Sequence, residues 1–483
     1  MVVAYDWPGM MEPLGAVHEV GDKTELVSLR EESIRRAGRL AALGVGRGTR
    51  VALLQGAGLS FFADLLAVWR RRATAVCLDT ALTPGELATV LRFAQANCLL
   101  VDANGLGLEA PVPVIHLGER ADTPGSGFLE AVAGEPDDPA LILFTSGTTG
   151  DPKGVVHSFR SLQARIALNI AEIGLGPADR TLLTLPVHFG HGLIGNALSP
   201  LFAGATLVIA GSGLPLASRL GAIIDAEAIR FLTSVPALWR MALKLSPPPN
   251  GGTLRRVHLG SAPMSGDFLK GVAAWTGCPV YNCYGITETA NWIGGTDAAA
   301  PDYRNGMVGR PWGGTAAVRL ADGTVVEEGE GEILVRTPSL MQGYLDRPDL
   351  TAQALRDGWY CTGDQGEVDG QGRIILSGRI KDEINRAGFK VQPAEIDLLL
   401  EQHPDVLEAC TFGLPDAVSG EIVAAAVKRR DGSSLDGPTL RAWCLERLRR
   451  DATPERWYFV EDIPKTSRGK LRRDDVRRRL TGA

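Results

Sequence analysis

Long apolar runs, a surplus of positive charge and any cysteine pairing pattern are all missing from this chain. Across 483 residues there is no stretch of about eighteen uncharged apolar residues, so no membrane span is expected. Lys and Arg number 50 against 56 Asp and Glu, a formal charge of −6, whereas general nucleic-acid binding asks for a basic domain. Seven cysteines (77, 98, 278, 283, 361, 410 and 444) are scattered without a Cys-x-x-Cys pair. An odd, dispersed set reads as free thiols in a reducing compartment, not as a disulfide frame or a zinc site. The first residues carry no basic region followed by an apolar stretch, so no secretory leader is expected and the reading is cytoplasmic. Internal repeats and low-complexity tracts are absent too. What remains open is a large globular enzyme. The 45% hydrophobic and 22% charged composition is ordinary for one, and the length suggests about three domain-sized units.

The most informative segment is Phe144-Thr-Ser-Gly-Thr-Thr-Gly-Asp-Pro-Lys-Gly-Val-Val-His157. A strand-like run, Leu141 to Phe144, opens into four hydroxyl residues, two glycines and Lys153. Small residues let backbone N–H groups approach an anion, hydroxyls add donors and the lysine adds charge. That combination suits a polyphosphate. It is not the common P-loop, which places four residues between its first glycine and a Gly-Lys pair. Here two residues separate Gly147 from Gly150, and Asp-Pro precedes Lys153.

Strand-like runs at 50–54, 74–78, 98–102, 141–144, 181–185, 205–210, 229–234, 255–259 and 279–283 alternate with helix-like stretches such as 28–43 and 59–70. This alternation predicts parallel sheets with helices on their faces. Several runs open into polar, Gly-rich loops, where ligands of open α/β sheets bind. Residues 301–376 are richer in turn residues and short alternating runs, which predicts an antiparallel unit. A polar connector, Gly378-Arg-Ile-Lys-Asp382, precedes a smaller α+β region with helices at 393–403 and 438–450 and strands at 406–413 and 421–428. The expected division is 1–378, a hinge at 379–382, and 383–483.

These residues resemble the adenylate-forming superfamily of acyl- and aryl-CoA synthetases over nearly the whole chain. The resemblance implies an α/β fold. A large N-terminal domain of layered, mostly parallel sheets with flanking helices and a small β unit would precede a small, mobile α+β C-terminal domain. It implies activation of a carboxylic acid by ATP to an acyl-adenylate, release of pyrophosphate, and transfer of the acyl group to a thiol. The Thr/Ser/Gly loop resembles the family's phosphate loop, which assigns Thr145, Ser146, Gly147, Thr148, Thr149 and Lys153 to the β- and γ-phosphates.

Other segments match in turn. In Asn282-Cys-Tyr-Gly-Ile-Thr-Glu288, Tyr284 is able to stack on a purine and Asn282 to bond its exocyclic amine. Glu288 suits Mg²⁺, which prefers carboxylate and phosphate oxygens. The family gives these positions the same roles, with Gly285 beside them, Thr287 near the α-phosphate and Thr148 as a further metal contact. Gly260-Ser261-Ala262-Pro263 resembles the other wall of the adenine slot, although it is also a plain turn. Asp364, in Tyr360-Cys-Thr-Gly-Asp, resembles the ribose-binding aspartate, and a carboxylate accepts two hydrogen bonds at once. Arg379 would add a ribose or phosphate contact, and Lys381 falls at the family's hinge. Pro464-Lys-Thr-Ser-Arg-Gly-Lys470 resembles the C-terminal signature, whose last lysine is the adenylation catalyst. A lysine in a dry site stabilises the charge that builds on the reacting phosphate oxygens.

The acid is less well specified. Relatives that activate amino acids carry an aspartate near 181–200, and this stretch has no acidic residue, which favours a non-amino acid. Phe189 falls at the gate beside the acyl carboxylate, flanked by His188 and His191. Trp292, Ile293, Gly190, Gly192 and Gly195 are candidate pocket residues, Trp292 being equally plausible as core. Gly388 matches the glycine bordering the thiol tunnel, but 384–388 lacks a lysine that many aryl-CoA ligases place there. The acceptor is coenzyme A or the phosphopantetheine of an acyl carrier protein, and a nucleotide-binding protein without catalysis is the third alternative. Monomer and homodimer stay equally open.

Overall fold

The computed structural model describes residues 4–21, 28–105, 107–118, 135–145, 153–387, 389–465 and 471–482. Four sheets organise them. Two are the expected, mostly parallel sheets. One runs in the order Val17–Glu19, Thr206–Ile209, Arg180–Leu183, Phe231–Ser234, Arg256–Leu259 and Val280–Gly285, all parallel, and ends on the antiparallel strand Trp292–Asp297. The other places Thr74–Cys77, Arg50–Leu54 and Cys98–Val101 beside Pro139–Thr145, again parallel. Residues 307–379 form the expected antiparallel sheet, with Trp359–Val368 between Ile374–Arg379 and Gly329–Arg336. A last sheet contains Ile384–Arg386, Val406–Asp416, Gly420–Arg429 and Arg456–Phe459.

Local chemistry sets the helix ends. Ser28 caps Leu29–Ala42 by accepting from the Glu31 N–H, and Thr83 with Glu86 forms a complete capping box on Pro84–Phe93. Gly174, in the left-handed region, stops Phe159–Ile173. The helix expected over 438–450 is shorter, Gly437–Leu445, followed by a 3₁₀ turn at Arg450–Ala452. Helix Leu59–Arg70 is almost entirely buried in the main core, against Trp7, Phe159 and the helix His191–Leu198. The last sheet has its own core, built on Ile396, Leu400, Val406 and Val427. Arg240 reaches across to it, with Nη2 2.7 Å from Glu401 Oε2. No described helix is long and apolar enough to cross a membrane.

Two local features depart from the sequence expectation. Lys153–Ser158 is a strand, antiparallel to Pro139–Thr145, so the Thr/Ser/Gly segment joins two paired strands. The stretch read as a loop after strand 181–185 contains a π-helix, His191–Leu198, buried throughout. Gly192 allows that helix to touch the chain before it, because a Cβ there would lie 1.8 Å from the Pro186 carbonyl oxygen. Gly192→Ala is therefore expected to cost about 3 kcal/mol, at the upper end of overpacking penalties. By contrast Gly271, in helix Gly266–Thr276, has open space around it, and Gly271→Ala is expected to stabilise by about 0.5–1 kcal/mol. Denaturant unfolding of the two variants beside the parent checks both signs.

Candidate active site

The carboxyl ends of the first parallel sheet face the antiparallel sheet and the last sheet across a cleft of about 1650 Å³. Lys153, Ser261, Ala262, Pro263, Asn282, Tyr284, Gly285, Thr287, Glu288, Asp364, Arg379 and Lys381 all line it. Ser146, Gly147, Thr148, Thr149, Gly388 and Lys470 lie outside the described residues, as does the side chain of Thr145. Lys465 and Leu471, which bracket 466–470 and pair as an isolated bridge, both line the cleft from the last sheet's side. Gly260, His188, Phe189, His191 and Trp292 are not among its lining residues.

Asp364 is the best-organised group. It is 4% exposed, its Oδ1 lies 2.6 Å from Arg379 Nε, and its Oδ2 accepts a short hydrogen bond from the Tyr284 hydroxyl. Burial, and then the Asp364 charge, push the Tyr284 phenol well above its usual range, so it stays a donor. One carboxylate thus accepts from two directions, as a diol-binding group must. Asn282 spends its Nδ2 on the Met307 carbonyl, 2.9 Å, and the Tyr303 hydroxyl, 3.3 Å, so its acceptor oxygen is what it offers a ligand. Ser261 holds φ at +72°, an uncommon conformation for a residue with a Cβ and one that clusters at functional sites.

Glu288 follows in a 3₁₀ turn, Thr287–Thr289. Its Oε1 accepts from the Tyr344 hydroxyl at 2.7 Å, and Lys153 Nζ sits 5.9 Å from the centre of the same ring. Tyr344 therefore spaces a cation from a carboxylate, and Tyr360 lies 3.4 Å from it, oxygen to oxygen. Burial and the Glu288 charge raise the Tyr344 phenol, which keeps its proton for the carboxylate. Sequence reasoning missed Tyr344, because an aromatic after Gly343 carries no motif of its own. It also missed His157, whose Nε2 lies 2.8 Å from the Thr287 carbonyl oxygen. A carbonyl only accepts, so this nitrogen carries the proton and pins the turn that presents Thr287 and Glu288.

The two predicted histidines, His188 and His191, are engaged by protein partners and do not line the cleft. His191 Nδ1 is 2.9 Å from Ser261 Oγ and Nε2 is 2.7 Å from Thr233 Oγ1. His188 Nε2 lies 3.3 Å from Asp79 Oδ2. Phe189 is buried, and Trp292 sits in an aromatic cluster with Phe231, Cys283 and Trp312. Among the described residues no three ligating side chains gather to hold a metal. Glu288, a single carboxylate facing a cleft, fits a Mg²⁺ ion that brings most of its ligands as phosphate oxygens and water.

Desolvation drives His157 down to about 4 and His191 to about 3, and also pulls His258 well below its usual value. Folded-state depression of a base means the unfolded chain binds more protons in acid, so stability is present above about pH 6.5 and falls as pH drops. His157→Gln keeps a donor for Thr287 without titrating. Between pH 7 and pH 5 the parent is expected to lose about 2 kcal/mol more than this variant, as measured by denaturant unfolding at the two pH values.

The profile described as AMP-binding enzyme matches residues 22–345, and that of the AMP-binding enzyme C-terminal domain matches 395–470. The chain is 36% identical over 453 residues to a sulfoacetate–CoA ligase from Cupriavidus necator, covering 90% of this chain and 88% of that protein. It is 31% identical over 467 residues to a 2-succinylbenzoate–CoA ligase from Geobacillus, covering 96% and 94%. Among solved structures, the amide bond synthetase McbA from Marinactinospora thermotolerans superposes with a TM-score of 0.88 at 28% identity, covering 98% of each chain. ATP-bound MatB from Rhodopseudomonas palustris superposes at 0.83 and 27% identity, covering 97% and 96%.

Proposed function

Because this chain belongs to the AMP-binding enzyme family of acyl- and aryl-CoA synthetases, we propose that it activates a non-amino carboxylic acid with ATP and transfers the acyl group to coenzyme A. The observation that carries the reading is one cleft that collects Lys153, Tyr284, Glu288, Asp364 and Arg379 from separate strands and turns. Lys465 and Leu471 line the same cleft from the last sheet. The curated relatives named as CoA ligases support coenzyme A as acceptor. An acid-free segment at 181–200 supports a substrate without an ammonium group.

The residue roles are part of the proposal. Lys153, with Thr145, Ser146, Gly147, Thr148 and Thr149, holds the β- and γ-phosphates. Tyr284 and Gly260–Pro263 enclose the adenine, and Asn282 accepts from its amine. Asp364 takes the ribose hydroxyls, the Tyr284 and Arg379 contacts giving way or being shared. Glu288, and Thr148 with it, would hold Mg²⁺, which supplies charge neutralisation on the phosphates. A substrate carboxylate oxygen bonds to the α-phosphorus beside Thr287 while the bond to pyrophosphate breaks. Lys470 stabilises the charge that develops there. The thiol sulfur then attacks the acyl carbonyl, AMP departs with its oxygen, and the thiol proton passes to solvent. Residues 1–378 carry the substrates, 379–382 with Lys381 act as the hinge, and 383–483 bring first Lys470 and then the Gly388 segment to the cleft. A cytoplasmic location goes with this reading.

Lys470→Ala is expected to lower ATP–pyrophosphate exchange by about 10²–10³-fold, the usual loss for a group stabilising transition-state charge, with ATP binding retained by calorimetry. Unchanged exchange would remove Lys470 from the mechanism. Product analysis with free coenzyme A and with a holo carrier protein decides the acceptor. Thioester formed only on the carrier would replace coenzyme A in the proposal.

A further inference from the structure

Each carbonyl of the turn Thr287–Thr289 has a donor from elsewhere in the chain. His157 Nε2 holds that of Thr287 at 2.8 Å, the Met341 N–H holds that of Glu288 at 2.8 Å, and Ser339 Oγ holds that of Thr289 at 3.0 Å. Two of these donors come from one segment, 337–345, which no motif marks. That segment is itself anchored on two sides. Arg165, fully buried, donates to Ser339 Oγ from Nε at 3.1 Å and from Nη2 at 2.6 Å, and to Thr337 Oγ1 at 3.1 Å. On the other side, Gly343–Tyr344 pairs antiparallel with the strand Lys153–Ser158. The Gln342 and Leu345 N–H groups donate to the Val156 and Gly154 carbonyls there, at 2.8 Å each.

Tyr344 carries this scaffold to the Glu288 side chain. A phenol has one proton to give and a carboxylate only accepts, so the 2.7 Å contact commits that proton to Glu288 Oε1. The Tyr360 hydroxyl, 3.4 Å from that of Tyr344, is then the donor between the two tyrosines. Among the described residues the Glu288 side chain has no other hydrogen bond or ion pair, which leaves Oε2 to a ligand in the cleft it lines. Lys153 sits over the Tyr344 ring and belongs to the strand on which Tyr344 is paired. One phenol thus fixes the carboxylate relative to the cation, on a backbone held by strand pairing.

Resting on the adenylation reading above, we infer that Tyr344 is a positioning residue for the metal complex of ATP: by holding Oε1 of Glu288 it leaves Oε2 for the divalent cation. A hydrogen bond to the oxygen that does not meet the metal fixes the orientation of a carboxylate ligand. Removing such a partner typically costs about 10–100-fold in metal affinity. The effect of Tyr344 falls on the cation and not on the adenine, the ribose or the acid. The enzyme's preference for metal-bound over metal-free ATP then depends on a hydroxyl that lies outside the motifs assigned to nucleotide binding.

The test compares two affinities of the full-length enzyme by calorimetry, without any acid so that no turnover occurs. One is for ATP with Mn²⁺, which like Mg²⁺ takes oxygen ligands, and the other for ATP with a chelator. The parent is expected to bind the Mn²⁺ complex more tightly. Tyr344→Phe keeps the ring beneath Lys153 and should reduce that preference by about 10-fold or more, with the affinity for metal-free ATP unchanged. A hydroxyl needed only for packing would weaken both forms alike. That result overturns the inference, as does an unchanged preference. A second measurement does not depend on the variant folding. With 3-fluorotyrosine in place of Tyr344 the hydroxyl is kept, and Mn²⁺ in the ATP complex should broaden the ¹⁹F resonance, which Mg²⁺ leaves sharp. A resonance that stays sharp with Mn²⁺ overturns the inference and leaves adenylation standing. A parent that binds ATP without preferring the metal complex removes Glu288 from the metal, and the inference falls with that role. A parent that binds ATP in neither form overturns the adenylation reading itself.

Discussion

One buried carboxylate holds the centre of this protein together. Asp364 belongs to the antiparallel sheet, yet it receives a hydrogen bond from Tyr284, at the carboxyl end of a strand in the first parallel sheet. It also pairs with Arg379, in the polar connector and the last residue of the strand Ile374–Arg379. Burying a carboxylate costs several kcal/mol unless charge and hydrogen bonds compensate. The compensation here comes from two different parts of the chain, so the two sheets and the connector are fixed relative to one another by the same group. A ligand hydroxyl pair that competes for this carboxylate would act directly on the element joining the large region to the small one.

Much of the site was legible because its chemistry is concentrated in short, contiguous motifs. Asn282, Tyr284, Thr287 and Glu288 sit within seven residues, and the strand before them positions all four at once. Asp364 and Arg379 were read through the resemblance of their motifs, and the structure sets them opposite each other on paired strands. The strand Lys153–Ser158 was missed, and so was its pairing with Pro139–Thr145. Glycine, proline and lysine around it have low strand propensity, and only tertiary pairing makes the segment extended. The π-helix at 191–198 was missed for a different reason. Its glycines and proline-flanked start read as a loop, while what stabilises it is contact with Pro186 and Trp292. Tyr344 and His157 act through single long-range hydrogen bonds, which leave no local pattern to read.

The histidines show how one residue type divides by environment. His157 and His191 were embedded in motifs with apparent catalytic promise, but each is buried with both ring nitrogens near protein partners. Desolvation holds them neutral at any pH near 7, so they cannot supply a cation at the reacting centre. They serve as rigid donors and acceptors that fix the Thr287 turn and the Ser261 turn. The positive charge needed at the phosphates must then come from lysine and arginine, which remain charged. In the proposed reaction Lys153 meets that need from the large region and Lys470 from the small one.

That division of charge places a physical demand on how the small region is held. In the proposed reaction, a catalyst on a separate unit must be seated firmly for one step and released for the next. The described contacts suit such a balance. Arg240 pairs with Glu401 at 2.7 Å and faces Glu408 at 3.7 Å, while Lys465, at the edge of the proposed catalytic segment, pairs with the same Glu408 at 2.6 Å. In mostly buried pairs such as these, desolvation offsets much of the attraction, so they add little net free energy. Burial also lifts the Glu401 carboxyl to about 7, which weakens its pairing further near neutral pH. These ion pairs therefore add little to what holds the small region, whereas the aromatic packing around Trp292 would cost a great deal to disturb.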